Sequence, residues 1–308
     1  MSVATRRKPK AARPIPKTPE KSQKRNPVRD FLEMIKFEHT LFALPFAYTG
    51  AFLAGQGHLP LAKFCLITLA MVSARTAGMS LNRVIDKDID AANPRTANRA
   101  IPANIISPDT VWEISLGSVL VLLISAALLN PLCLMLSPLA VGVLFSYSYL
   151  KRYTWLCHLG LGLVLACAPI GGYIAVSGHL NAIPLSLGAA MIFWLAGFDV
   201  LYGCLDLDFD KQYGIHSIPQ RFGVPKALWI SGFFHLIAFA FFALTGILAN
   251  LAWPYDLGLM LAAVVLIYEH AIVTPHDLRR INLAFFQANA AISIILFVAT
   301  LTSFWVGP

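Results

Sequence analysis

Charge is scarce in this chain. Only 13% of its 308 residues are Asp, Glu, Lys or Arg, about half the share of a soluble domain, which excludes an ordinary water-exposed globule. Strict alternation of apolar and polar residues is also missing, and the apolar runs are too long for strands, which excludes a membrane β-barrel. Cysteine is sparse: Cys65, Cys133, Cys157, Cys167 and Cys204 lie singly in apolar stretches. With no CxxC pair and no Cys/His cluster, neither a disulfide framework nor a zinc site is expected, and the five read as small core residues.

What is present is apolar. The chain is 57% hydrophobic, with a mean hydropathy of +0.66. A bilayer-spanning helix needs about 20 mostly apolar residues. Nine such segments are expected near 38–55, 61–82, 111–129, 132–150, 155–178, 184–205, 227–249, 254–274 and 282–305. The expected fold is an all-α polytopic membrane protein with nine transmembrane helices.

The basic residues are placed in alternation. Residues 1–36 hold eleven of the 24 Lys and Arg. Arg83, Lys87, Arg95 and Arg99 follow the second segment, Lys151 and Arg152 the fourth, Lys211, Arg221 and Lys226 the sixth, and Arg279 and Arg280 the eighth. The intervening connections carry none, apart from Lys63 near one of them. The positive-inside rule then puts the N-terminus in the cytoplasm and the C-terminus outside. Residues 1–29, basic and Pro-rich, are expected to be a disordered cytoplasmic tail drawn to anionic headgroups. Residues 30–308 form the transmembrane domain.

Two acidic stretches close even-numbered segments, so both are expected on the cytoplasmic side. In NRVIDKDID (82–90), Asn82, Asp86 and Asp90 are spaced by four and share one face if the helix continues through them. In FDVLYGCLDLDFD (198–210), Asp199, Tyr202, Asp206 and Asp210 fall on one face, while Asp88 and Asp208 point elsewhere. A polar template also repeats: Arg75, Asn82 and Asp86 have the spacing of Asp199, Asp206 and Asp210, which hints at two related halves. Carboxylates this close repel, more so near lipid, and something cationic must offset them. Mg²⁺ prefers oxygen ligands and bridges carboxylates to phosphates. The metal ligands expected are Asn82, Asp86, Asp90, Asp206 and Asp210, forming a clamp for a diphosphate. Arg75, Arg95, Arg99, Lys151, Arg152 and Lys211 are the candidate diphosphate-binding cations. The loops NPRTANRAIP and DKQYGIHSIPQRFG, the second bearing His216 and Arg221, are candidates to fold over the site.

NRVIDKDIDAANPRTANRAIP and DVLYGCLDLDFDKQYGIHSIPQRFG resemble the two signatures of the UbiA superfamily of membrane prenyltransferases. The first is similar to its NDxxDxxxD pattern at Asn82, Asp86 and Asp90, the second to DxxxD at Asp206 and Asp210, with Tyr202 upstream. The resemblance runs from about residue 30 to 308. It implies Mg²⁺-dependent transfer of an isoprenyl group from an allylic diphosphate to an aromatic acceptor, with Asp86, Asp206 and Tyr202 as catalytic residues. Arg83 departs from the pattern, which has Asp there. Its side chain is expected off the main face, subtracting at most one ligand.

MIKFEHTLFALPFAY, GFDVLYG and GIHSIPQRFG resemble the 4-hydroxybenzoate polyprenyltransferase-like branch, which also includes enzymes acting on dihydroxynaphthoate in a menaquinone route. Such an acceptor is a hydroxylated arene carboxylate, so a cation near its ring is expected, with Lys36 and Arg75 the candidates. His39 is a candidate to orient the phenol, and Asp199 is a further candidate acceptor-binding residue. Tyr147, Tyr149 and Tyr202 are candidates to stack near the allylic cation. The partners implied are a polyprenyl diphosphate, the aromatic acceptor and the bilayer, with neither nucleic acid nor an obligate protein partner. The place implied is a bacterial inner membrane, with the site facing the cytoplasm. A secondary transporter would place its site at the midplane on broken helices, unlike these edge-clustered acids. A CDP-alcohol phosphotransferase would show an Asp-Gly element that neither stretch has.

Overall fold

The computed structural model of the protein describes residues 26–36, 40–281 and 287–307. Twelve α-helices stand among them: α1 (Pro27–Met34), α2 (Thr40–Ala54), α3 (Leu61–Ile85), α4 (Lys87–Ala92), α5 (Pro108–Leu129), α6 (Pro131–Leu150), α7 (Cys157–Ser177), α8 (Ala182–Gly203), α9 (Leu207–Tyr213), α10 (Ile218–Leu248), α11 (Trp253–Ile272) and α12 (Asn289–Val306). No β-strand occurs among the described residues, only an isolated bridge between Thr274 and Asp277. Residues 1–25, most of the expected tail, lie outside the described residues, and Pro27–Arg29 already belong to α1.

The helices begin where capping chemistry allows. Ser107 accepts from the Thr110 N–H, Asn130 from Cys133, Asn181 from Ile183 and Ser217 from Gln220, each satisfying an amide that its helix cannot. Proline at the first or second position of α5, α6 and α10 costs no internal hydrogen bond. Gly178 and Gly214 end α7 and α9 in the left-handed region, at φ 72° and 76°.

Eight helices among the described residues are long and apolar enough to cross a membrane. The first of the nine expected segments is the 15-residue α2, shorter than the roughly 20 residues of a spanning helix.

Apolar side chains fill the interior and also cover much of the outside. The core is aromatic: Phe46 of α2 lies 4.9 Å from Trp194 of α8, which lies 5.3 Å from Phe198. Outward faces carry exposed Leu120, Trp229, Ile247 and Trp305, as a lipid-facing surface requires. Helix α8 packs on α7 and α10, α2 on α7 and α12, and α11 on α12, while α3, α5 and α6 form a second group against α7 and α2. The α2–α7 contact is backbone to backbone. A Cβ at Gly172 would collide with the Ala47 carbonyl, and one at Gly50 with that of Pro169, which is how small residues let membrane helices approach. Gly172→Val should therefore cost about 1–3 kcal/mol, read as a lower unfolding midpoint in micelles, with Gly171→Val, where nothing lies within 4 Å of the added atom, nearly silent.

Candidate active site

Both acidic stretches occupy helix breaks at one end of the bundle. α3 stops at Ile85, Asp86 has φ −93° and ψ 7°, and α4 follows. α8 passes through a 3₁₀ turn, Cys204–Asp206, Asp206 has φ −103° and ψ 6°, and α9 follows. The first expected face thus survives a bend rather than an unbroken helix: Asp86 N–H still bonds the Asn82 carbonyl at 3.0 Å, and Asp90 N–H that of Asp86 at 2.8 Å. The matching breaks also correct the register of the internal echo. Asp86 corresponds to Asp206 and Asp90 to Asp210, which sets Asn82 against Tyr202, four residues away from the pairing the polar template indicated.

Each carboxylate is met by its own donors. Asp86, 2% exposed, accepts from Asn82 Nδ2 at 2.8 Å and pairs with Lys151 Nζ at 2.7 Å, with the Arg152 guanidinium at 3.6 Å. Asp90 takes both of its oxygens' bonds from Arg99, at 2.7 and 2.8 Å. Asp206 receives a two-pronged bond from Arg95 (2.8 and 2.5 Å) and one from Asn93 (3.0 Å). Asp210 is buried and accepts from Ser217 at 2.8 Å.

Arg95 also donates to the Tyr202 hydroxyl at 3.0 Å and lies over its ring. Partial burial works against the charge of Arg95, but the bonds and attraction of Asp206 and Tyr202 outweigh it and hold its pKa above the ordinary guanidinium value. The loop after α4 is shaped for this reach: the Asn93 side chain accepts the Arg95 N–H at 2.9 Å, and Thr96 bonds the Asp90 carbonyl.

Arg83 is a correction. It is 8% exposed, its Nε donates to the Met34 carbonyl of α1, and its guanidinium reaches Asn82 Oδ1 at 3.3 Å and Asp90 at 3.9 Å. Its Cβ leaves the face, but the long side chain returns and occupies the amide oxygen expected to face a metal.

Other residues were less legible. His158 lies on α7, Nδ1 2.7 Å from Asp199 Oδ2, and its Nε2 accepts the Ile218 N–H at 3.2 Å. The acceptor role of Nε2 makes Nδ1 the protonated nitrogen, so His158 donates to Asp199 and orients it. Ser148 contacts Asn82 at 3.3 Å. A cross-chain separation of 40 or more residues hides such partners from any local pattern. Lys211, by contrast, is exposed and forms no ion pair among the described residues. Asp88 and Asp208 are exposed, as expected. Lys36 is exposed, two residues beyond the Met34 carbonyl that Arg83 engages. His39 lies outside the described residues.

Below the cluster is an apolar cavity of about 500 Å³ between α3, α5, α6 and α7. Arg75 and Tyr147 line it, seven residues from Asn82 and next to Ser148 respectively, while Leu139 and Leu185, more than half exposed, line it toward the outer surface. The donor set suits a hard divalent cation: it is built of oxygens, and Asp86 Oδ1 is buried with no hydrogen-bond partner among the described residues.

The sequence pattern of the UbiA prenyltransferase family matches residues 43–305. Proteins named 4-hydroxybenzoate octaprenyltransferase from Salmonella paratyphi B and Salmonella newport are 28% identical over 234 residues, 75% of this chain and 79% of theirs. A UbiA homolog from Aeropyrum pernix K1 has a TM-score of 0.79 at 36% identity, covering 86% of this chain and 98% of that one. A UbiA homolog from Archaeoglobus fulgidus, bound to GPP and Mg²⁺, shares the fold with a TM-score of 0.64 at 18% identity, over 87% of this chain and 99% of that one.

The Arg95–Asp206 pair is partly exposed, so its strength should be moderate. A double-mutant cycle of Arg95→Ala and Asp206→Asn should give a coupling of about 0.5–1.5 kcal/mol in thermal unfolding. Strictly additive effects would mean that the pair does not tie the two acidic ends together.

Proposed function

The chain belongs to the UbiA prenyltransferase family, and on that premise we propose that it transfers a polyprenyl group from an allylic diphosphate to a hydroxylated aromatic carboxylate, 4-hydroxybenzoate, in quinone biosynthesis. The observation that carries this reading is the junction of a carboxylate–guanidinium cluster with a long apolar cavity that reaches the outer surface of the bundle. One end suits a diphosphate and the other a hydrocarbon chain of any length trailing into lipid.

In this reading Asn82, Asp86, Asp90, Asp206 and Asp210 hold Mg²⁺, which when bound neutralises the charge that develops on the departing diphosphate. Arg95, Arg99, Lys151 and Arg152 lie against the same carboxylates and turn their N–H groups to the phosphate oxygens, stabilising the leaving group as the allylic C–O bond breaks. Arg75 meets the substrate where its head joins its tail. The cavity walls exclude water from the allylic cation, and Tyr202, stacked under Arg95 at the acidic end, is assigned to the reacting head of the substrate. The acceptor ring attacks and releases a proton. Asp199, oriented by His158, is assigned to acceptor binding together with Lys36 and His39.

We also place the cluster at the cytoplasmic face of a bacterial inner membrane, with α2 completing nine spans and the basic N-terminal segment on the same side. The alternation of basic connections supports this orientation.

Asp86→Ala and Asp206→Ala should each lower turnover by about 100-fold or more with insertion unchanged, whereas Asp88→Ala and Asp208→Ala should be mild. Protein in nanodiscs, given Mg²⁺ and geranyl diphosphate with 4-hydroxybenzoate and 1,4-dihydroxy-6-naphthoate in parallel, should yield prenylated hydroxybenzoate by mass. Prenylated naphthoate alone would move the enzyme to menaquinone synthesis, and no product from either would overturn the proposed acceptor class.

A further inference from the structure

A second group of ligating side chains lies away from the acidic helix ends, between α10 and α11. His235, Glu269 and His270 each offer one ligand atom, and the three atoms lie within 4.8 Å of one another. His235 Nδ1 is 2.8 Å from His270 Nε2 and 4.0 Å from Glu269 Oε2. No other set of three His, Cys, Asp or Glu among the described residues meets that spacing.

The surroundings are built around this group. Nε2 of His235 lies 3.2 Å from the Trp194 carbonyl oxygen. That oxygen can only accept, so Nε2 carries the proton and Nδ1 presents its lone pair to the cluster. A backbone carbonyl that fixes the far nitrogen of an imidazole is the usual support of a metal-bound histidine. The ring fits against α8 because residue 197 is glycine: a Cβ there would strike the imidazole. Phe198 packs on the ring from the same helix at 4.7 Å.

Glu269 is the anomaly. Its side chain is 0% exposed, and both of its oxygens are buried with no hydrogen-bond partner among the described residues. A buried carboxylate in an apolar bundle requires a compensating cation or a proton. Beside it is a cavity of about 180 Å³ that Tyr268 and Gln287 also line, large enough for a water or small anion.

We propose that His235, Glu269 and His270 bind a divalent transition-metal ion, with zinc the best match. Two imidazoles and one carboxylate, with space for a fourth ligand, are a zinc-type set. Mg²⁺ prefers oxygen donors, so this site and the acidic cluster select different metals. The ion joins α10 to α11 and balances the Glu269 charge within the bundle.

The test uses full-length protein in nanodiscs, stripped with chelator, then equilibrated with Zn²⁺ in the presence of excess Mg²⁺ and desalted. Elemental analysis should find one zinc per chain, and zinc should raise the unfolding temperature. Glu269→Gln and, separately, His270→Ala should lose both the zinc and the thermal shift, while the Asp86→Ala/Asp206→Ala double variant keeps them. Co²⁺ in place of zinc should give the intense visible absorption of a low-coordinate nitrogen–oxygen site. The partly exposed His270 gives a second reading should Glu269→Gln misfold. Zinc absent from the wild type would overturn the proposal and leave a hydrogen-bonded His235–His270 pair beside a protonated Glu269. Zinc kept by both single variants, or lost only with Asp86 and Asp206, would overturn it as well.

Discussion

The contact on which the acidic end of the molecule depends is the two-pronged bond from Arg95 to Asp206. These residues are 111 positions apart and belong to the two acidic stretches. Two sets of carboxylates at one end of an apolar bundle would repel each other across a medium that screens poorly. The loop after α4 resolves this by carrying Asn93 and Arg95 from the first stretch onto the acid of the second. Lys151 and Arg152, from the end of α6, do the same for Asp86. The acids are therefore held together by cations from neighbouring elements.

The polar end and the apolar cavity are two consequences of one helix arrangement. α3 carries Asn82 and Asp86 at its end and Arg75 two turns below, so a single helix runs from the charged cluster into the cavity. α6 contributes Tyr147 and Ser148 beside them and Lys151 above. The wall thus changes character over a few residues, from guanidinium and carboxylate to aliphatic carbon. A substrate with a charged head and a hydrocarbon tail is matched by that gradient, and a uniformly polar metabolite is not. Farther away, Glu269 is buried in the same low-dielectric interior with neither oxygen hydrogen-bonded among the described residues, the circumstance from which the proposed ion is argued.

Much of the candidate site was legible because its key residues are spaced by helical turns. Asn82, Asp86 and Asp90 share a face through the intact i to i+4 hydrogen bonds, even though the helix bends at Asp86. Lys151 and Arg152 could be nominated from the end of an apolar run. Arg83 was misjudged because the direction of a Cβ does not limit where a long guanidinium ends. The internal echo was matched four residues out of register because polar spacing carries no record of the backbone break, and the breaks at Asp86 and Asp206 define the correspondence. His158, Asn93, Ser148 and Ser217 had no local signal, since each acts on a residue from another part of the chain or through a turn that forms only on folding.

The amino-acid sequence alone determined the all-helical membrane class, the approximate helix positions and which acids share a face, because hydrophobic run length and a 3.6-residue period are local properties. Only the tertiary structure decided which cation meets which carboxylate, that Arg83 turns inward, that an apolar cavity opens beneath the cluster, and that His235 of α10 meets Glu269 and His270 of α11. Those outcomes depend on how helices pack side by side, and packing is set by shape and close approach, at Gly172 and Gly197 among other places, rather than by any pattern along one helix.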